Sequence, residues 1–408
     1  MKIFYKTLFF IFLSIVSVNS QNDELADIKS NIEFLANENL EGRFPGTDGE
    51  IRAANYIASK FEEYGLTKIN DTYFQNFSFN LPSSPHEEVK FNQGSGSKIN
   101  AINVIGYINN KSNFTVIIGA HYDHIGYGGQ YSLDRGVNEI HNGADDNASG
   151  TSMLINLAKK LKQRNNSRYN YLFIAFSAEE LGLLGSKYFV NSSLFNQSSY
   201  NYMINLDMVG RLNESKELSI FGVGTSSIFR QVINSLNEEF KLNLVNDGTG
   251  PSDHTSFYNK ELPVLFFHTG SHENYHRPTD DVEYINYQGI EQISNYVYNI
   301  IQELEAYEKL DFKETISNQQ SVARFNVSLR VMPDYVFDGD GMKADQIIKG
   351  GPADLAGLLD GDIIIQIDEL KVNDVYSYME ALSKYNEGDK IKVLVIRETK
   401  KLEFEVQL

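Results

Sequence analysis

Apolar positions along the chain follow two patterns, a helical period and short unbroken runs, and their alternation marks out the elements. In residues 23–37 the spacing of Leu25, Ile28, Ile32 and Leu35 predicts a helix with one buried face. The Gly/Pro stretch EGRFPGTDGE reads as a turn. Thr47-x-x-Glu50 then reads as a capping box opening a helix with Ile51, Ala54, Ile57 and Phe61 on one face, stopped by Gly65. Short apolar runs come next, at 116–120, 171–176, 202–206 and 263–267, each bounded by turn residues or a helical segment. Residues 149–161 and 284–304 are helical in period. Strands alternating with helices predict an α/β domain whose mostly parallel sheet is covered on both faces. Such sheets bind ligands beyond the carboxyl ends of their strands.

Near residue 308 the character changes. The polar stretch EKLDFKETISNQQS reads as a linker, and beyond it come short alternating strands with one clear helix at 375–385. The predicted organisation is a signal peptide at 1–20, a first domain at 21–308, a linker at 309–321 and a second domain at 322–408. The signal peptide rests on Lys2 and Lys6, the apolar stretch 8–18 and the small-residue end Val18-Asn19-Ser20. That stretch is short for a bilayer span, so the expected location is exported, periplasmic or extracellular.

The chain has no Cys, so no disulfide supports the fold. Its net charge of -18, about -20 without Lys2 and Lys6, argues against nucleic acid and anionic membranes as partners.

The residues that follow the apolar runs sharpen the picture. The run 116–120 leads into His121-Tyr122-Asp123, and the turn NGADDNASG holds Asp145 and Asp146. The run 171–176 leads to the adjacent pair Glu179-Glu180, and 202–206 ends on Asp207. A later loop, HENYHRPTDD, carries His276 and Asp280. Each has an ordinary reading when taken alone. Glutamates suit a helix N-terminus by about 0.3–1 kcal/mol, and Asp or Asn beside Gly is a turn former. Gathered at one rim, however, the carboxylates repel, and burial raises their pKa. A divalent cation removes the conflict, and nitrogen and oxygen ligands without thiolate suit zinc, with manganese or cobalt as alternatives.

Two histidines, two terminal carboxylates and one bridging carboxylate give each of two ions three protein ligands, with a shared place for water. Ions about 3.5–4 Å apart lower the pKa of that water and polarise a carbonyl. One more carboxylate, not a ligand, must take the water's proton. The adjacent glutamates fit that division, one on metal and its neighbour as general base.

GAHYDH, GADDNASG, SAEELGLLGS, NLDMVG and NYHRPTD, in that order, resemble the M28 family of zinc metallopeptidases, the co-catalytic aminopeptidases, as does LEGRFPGTDGE upstream. The likeness spans residues 23–305. It implies a mixed, mainly parallel sheet sandwiched by helices, and zinc, two ions per chain. Matched position by position, it implies that His121 and Asp207 serve one zinc, and Glu180 and His276 the other. The bridging aspartate stands four residues before Gly150, hence Asp146. Glu179 is then the general base, and Asp123 orients the His121 ring. The resemblance also implies a cis peptide bond between Asp146 and Asn147. GPSDHTSF resembles the family's substrate loop, which makes Asp253 and His254 candidates for contacting substrate, with Tyr275 a third.

The implied activity is hydrolysis of N-terminal residues from peptides with a free amine. The nucleophile is a two-metal-bridged hydroxide, Glu179 passes its proton to the leaving amine, and the metals stabilise the oxyanion. Many secreted members insert a protease-associated domain, for which there is too little sequence here before His121. Access is therefore expected to depend on the loops 126–140 and 240–251.

Residues 322–408 resemble the bacterial type of PDZ domain, a small α+β, partly open barrel. The likeness lies in Pro352-Ala353 with Ala356-Gly357, then Gly361-Asp362 opening an apolar strand. It implies a peptide or a protein C-terminus as a possible partner, with a carboxylate-receiving loop near 330–335. That stretch, RVMPDY, departs from the usual glycine-rich form. Two alternatives remain: a glutaminyl-peptide cyclotransferase on the same scaffold, whose members deviate at GADDNASG, and a non-catalytic PDZ peptide-binding protein, which would lack Glu179.

Overall fold

The computed structural model describes residues 23–81, 91, 96–129, 131–134, 137–164, 167–315, 327–334, 337 and 339–408. The expected signal peptide, residues 316–321 of the expected linker, and Tyr335 lie outside them. Two compact units divide after Thr315.

Eight strands of the first unit make one sheet among the described residues. They are β1 (Phe74–Asn80), β2 (Lys98–Ile108), β3 (Thr115–His121), β4 (Asn170–Phe176), β5 (Tyr200–Leu206), β6 (Glu217–Phe221), β7 (Lys241–Leu244) and β8 (Val264–His268), in the order β1-β2-β4-β3-β5-β8-β6-β7. β4, β3, β5 and β8 are mutually parallel neighbours, and β1, β2 and β6 join antiparallel. Every residue of β3, β4 and β5 is buried, as befits central parallel strands covered on both faces. That is why they appear in the sequence as unbroken apolar runs.

The helices are α1 (23–35), α2 (Asp48–Glu63), α3 (Gly150–Gln163), α4 (Leu184–Val190), α5 (Phe229–Leu236), α6 (His254–Tyr258) and α7 (Tyr287–Leu304). Successive strand residues point to opposite faces, and the two cores show it. Ile118, Phe173 and Ile204 pack with Ile32, Phe61, Leu154 and Val297 from α1, α2, α3 and α7. Ile117, Ile174 and Met203 pack with Phe189 and Phe257 from α4 and α6.

Four expectations need correction. Residues 241–244 are a strand on the sheet's edge, so 240–251 is not a continuous loop. Two helices are shorter than their apolar periods suggest: α7 starts at Tyr287, after a 3-10 turn at Val282–Tyr284, and the helix expected at 375–385 ends at Leu382. The capping box is half formed. Thr47 Oγ1 accepts the Glu50 N–H at 3.3 Å. Glu50 itself is buried and accepts from Gly46 N–H at 2.5 Å, Ile102 N–H at 3.1 Å and Ser177 hydroxyl at 2.5 Å. It therefore ties α2 to β2 and to the end of β4, beneath the rim that carries the glutamate pair.

The second unit has β9 (Val331–Pro333), β10 (Met342–Ile347), β11 (Ile363–Ile367), β12 (Leu370–Lys371), β13 (Lys390–Arg397) and β14 (Lys400–Gln407). They are joined antiparallel in the order β14-β13-β11-β10-β9, with β12 beside β11. Helices α8 (Pro352–Ala356) and α9 (Val375–Leu382) complete it. Its own core includes Met342, Ile364, Ile367, Leu382, Val393, Val395 and Val406. Within the loop expected to receive a carboxylate, residues 331–333 are strand β9, paired with β10.

Candidate metal centre

The parallel strands β4, β3, β5 and β8 deliver their following residues to one rim. His121 is the last residue of β3, Asp207 directly follows β5, and Glu179 and Glu180 stand in the turn between β4 and α4. The glutamate pair thus precedes the helix by a full turn, so a helix dipole does not account for it. His276 comes from the loop after β8, and Asp146 from the turn Ala144–Ser149 that runs into α3.

Backbone geometry decides which aspartate faces inward. The Asp146–Asn147 peptide bond is cis. The Asp280 carboxylate accepts the N–H groups of Asp145 and Asp146, each at 3.0 Å to Oδ2. Asp145 turns away, accepting Gly210 N–H at 2.6 Å and lying 3.1 Å from His272 Nε2. Asp146 is left facing both site histidines.

The polar atoms then fall into two groups that share Asp146. His121 Nε2 is 3.2 Å from Asp146 Oδ1 and 3.3 Å from Asp207 Oδ1. His276 Nε2 is 3.2 Å from Asp146 Oδ2 and 3.0 Å from Glu180 Oε2. Ligands about 2.0–2.1 Å from a tetrahedral zinc stand about 3.3 Å from one another, so these spacings fit the ion. His276 Nδ1 lies 3.2 Å from the Tyr131 carbonyl, to which only an N–H can bond. Its buried Nε2 then faces two carboxylates and must carry either a proton or a cation between them. Glu179 Oε2 is 4.0 Å from His121 Nε2, outside ligand spacing.

A further buried histidine, His124, lies 2.7 Å from Glu180 Oε1 and forms a possible cation group with Asp146 and Glu180. It was missed in the sequence, although the second His of GAHYDH was its signal.

Asp123 lies against both His121 and the turn that carries Glu179. Its carboxylate is 3.7 Å from His121 Nδ1, whereas its backbone carbonyl is 3.2 Å from that nitrogen. The carboxylate also accepts Glu179 N–H at 3.1 Å, so Asp123 ties the turn carrying Glu179 to the end of β3.

The environment separates the two glutamates. Burial, reinforced by the charges of Asp207, Asp253 and Glu180, holds the Glu179 carboxyl well above its usual range despite His121. For Glu180, burial and Asp146 push upward, but His276 and His124 outweigh them and bring it to about 2. Adjacent carboxyls driven apart in this way suit one proton carrier and one permanent anion. His121 and His276 are shifted well above the usual imidazole value against the effect of burial, by Asp207 and Glu179 and by Glu180 and Asp146 respectively. The carboxylates thus demand positive charge at the positions where an ion would sit.

Of the expected substrate contacts, Asp253 is fully buried, and burial raises its carboxyl to about 7 against the pull of His121. His254 is also fully buried and stacks on Phe266 with ring centroids 4.6 Å apart, on the core side of α6. Tyr275 is half-buried and stacks on His276 at 4.0 Å.

Beneath the rim lies Arg43, 1% exposed. It donates to the carbonyls of Leu35 at 2.5 Å, Tyr122 and Asn142 at 2.6 Å, and Gly143 at 3.1 Å. One guanidinium thereby joins the turn after His121 to the turn before Asp146. Neighbouring Gly42 has φ +67°, and a Cβ there would come within 2.6 Å of the Gly126 and His141 carbonyls. Burial lowers the Arg43 pKa to about 10, so it stays charged at neutral pH. Arg43→Met would strip charged partners from four carbonyls. The expected cost is roughly 3–5 kcal/mol, measured by urea unfolding of the metal-free chain. A loss within 1 kcal/mol would contradict that role.

Comparison with known proteins relates the chain to two families. Residues 103–301 match Peptidase family M28, and residues 327–408 match the PDZ domain. Aminopeptidase YwaD of Bacillus subtilis is 31% identical over 218 residues, which are 50% of this chain and 44% of that protein. The aligned stretches span less than half the length of the first curated relatives matched. Among solved structures, BSAP, a zinc aminopeptidase from Bacillus subtilis, aligns with TM-score 0.54 at 20% identity over 70% of this chain and 95% of that one. A Porphyromonas gingivalis glutaminyl cyclase aligns with TM-score 0.56 at 17% identity over 68% of this chain and 98% of that one.

Proposed function

Starting from a chain whose residues 103–301 belong to the M28 peptidases and whose residues 327–408 form a PDZ domain, we propose that it is an exported two-zinc aminopeptidase. One observation carries the reading. Asp146 offers an oxygen to each of two ligand groups, and a carboxyl of raised pKa, Glu179, stands beside them off ligand spacing. His121, Asp207 and Asp146 would hold one zinc, and His276, Glu180 and Asp146 the other. When bound, the ions supply Lewis acidity toward the scissile carbonyl and make water nucleophilic at neutral pH.

The protein's own residues do the rest. Glu179 takes a proton from the attacking water and delivers it to the leaving amine. Asp123 holds the Glu179 backbone so that the carboxyl stays above the ligand groups. The excess of buried carboxylates around Glu179 attracts the substrate's free ammonium group. Asp253 is one of them, its charge being felt at Glu179 after that of Asp207. Tyr275, stacked on His276, flanks the entry for the first side chain.

In the second domain, β9 ends the sheet order among the described residues, and an extended peptide or protein C-terminus is the partner this domain would take. The proposed domain limits are 21–308 for the peptidase and 322–408 for the PDZ domain, with a linker at 309–321 whose residues 309–315 pack with the first unit. Among the described residues no helix is long and apolar enough to cross a membrane.

The test is product analysis with aminoacyl-p-nitroanilides, their N-acetyl counterparts and a peptide beginning with Gln. Release of p-nitroaniline from free-amine substrates alone supports the reading. Loss of ammonia from the Gln peptide without hydrolysis would favour the cyclase that shares the fold.

A further inference from the structure

His124 has no part in the hydrolysis described above, yet it is fully buried among the ligand groups. Its Nδ1 lies 2.7 Å from Glu180 Oε1 and 3.9 Å from Asp146 Oδ2, and its ring meets that of His276 edge-on at 5.7 Å. Because His124, Asp146 and Glu180 could themselves surround a cation, the ring is either a ligand or a donor.

The distances decide between these roles. Two ligands of one tetrahedral zinc stand about 3.3 Å apart. His276 Nε2 meets that spacing toward both carboxylates, at 3.0 and 3.2 Å. His124 Nδ1 misses it both ways, too short toward Glu180 and too long toward Asp146. A separation of 2.7 Å is instead the length of a charge-assisted N–H···O bond. The two oxygens of Glu180 are divided accordingly, Oε1 toward His124 and Oε2 toward His276.

We infer that His124 is a positioning residue: its Nδ1–H bonds Glu180 Oε1 and so aims Oε2 at the zinc shared with Asp146 and His276. The inference rests on the two-zinc reading. Packing holds the ring in place. A Cβ at residue 143 would come 2.6 Å from His124 Cγ and Cδ2, so the ring packs against a position that only glycine can occupy. Without the donor, Glu180 rotates about its terminal torsion and the ion loses one fixed ligand of three.

The experiment measures zinc affinity rather than turnover, by competition with a chromophoric chelator. The proteins compared are the full-length chain and its His124→Leu, His124→Gln and His124→Asn variants. The Asn amide places an N–H near the Nδ1 position, whereas the Gln amide reaches toward Nε2. His124→Leu and His124→Gln should bind one of the two ions about 10–100-fold more weakly and the other unchanged. His124→Asn should recover affinity to within a few-fold of the parent. Parent-like affinity in His124→Gln would overturn the inference, and His124→Gln tests it even if the Leu variant does not fold. Affinity in His124→Asn as poor as in His124→Gln would also overturn it, by making the ring itself a ligand. A parent chain that binds a single ion would instead refute the two-zinc reading, before any variant is compared.

Discussion

Glu179→Gln should lower kcat/KM on a free-amine substrate by about 10²–10⁴-fold while leaving zinc content unchanged. Gln keeps the size and polarity of Glu but cannot accept a proton, so the change removes proton transfer and little else. Retention of metal follows from the geometry, since Glu179 approaches His121 Nε2 only to 4.0 Å, whereas the ligand pairs stand at 3.0–3.3 Å. Its burial and raised pKa mean that the parent carboxyl pays for desolvation until a cation is near; Gln avoids that cost, and the variant should be at least as stable as the parent. Metal analysis beside steady-state kinetics checks both halves. Loss of zinc in step with activity would make Glu179 a ligand instead.

Asp146→Ala should act in the opposite way, releasing both ions at once and reducing hydrolysis to background. Asp146 alone faces both groups, through Oδ1 at 3.2 Å from His121 and Oδ2 at 3.2 Å from His276. Removing it leaves each ion two protein ligands. It also leaves Asp207, Glu180 and Glu179 without the cations that offset their mutual repulsion. Replacing His276 should be milder, weakening one ion and sparing the other. Equilibrium dialysis against zinc distinguishes these outcomes, and an Asp146→Ala chain that still holds one ion tightly would show that the carboxylate is not shared.

The site was readable in the sequence wherever the fold itself was simple. The central strands are buried on both faces, so 116–120, 171–176 and 202–206 stand out as unbroken apolar runs, and the polar residues directly after them mark the rim. The unreadable parts depend on segments far apart in the chain. Arg43 sits in a stretch that reads as a turn, yet it is buried because the carbonyls of residues 122, 142 and 143 converge on it from about 80 to 100 positions away. Glu50 reads as a helix cap, but its partners Ile102 and Ser177 lie 52 and 127 positions away. β7 reads as loop because an edge strand of four residues lacks the doubly buried pattern. His124 follows β3 outside any period, so only the spatial position of Glu180, 56 residues later, gives it a role.

The central claim is that two shared-ligand zinc ions and Glu179 make an aminopeptidase. The most direct measurement is p-nitroaniline release from a free-amine aminoacyl substrate as metal-free chain is titrated with zinc. The account predicts that full activity develops by two equivalents per chain and that the N-acetylated substrate is never cleaved. A chain saturated with zinc that leaves every free-amine substrate intact would contradict it.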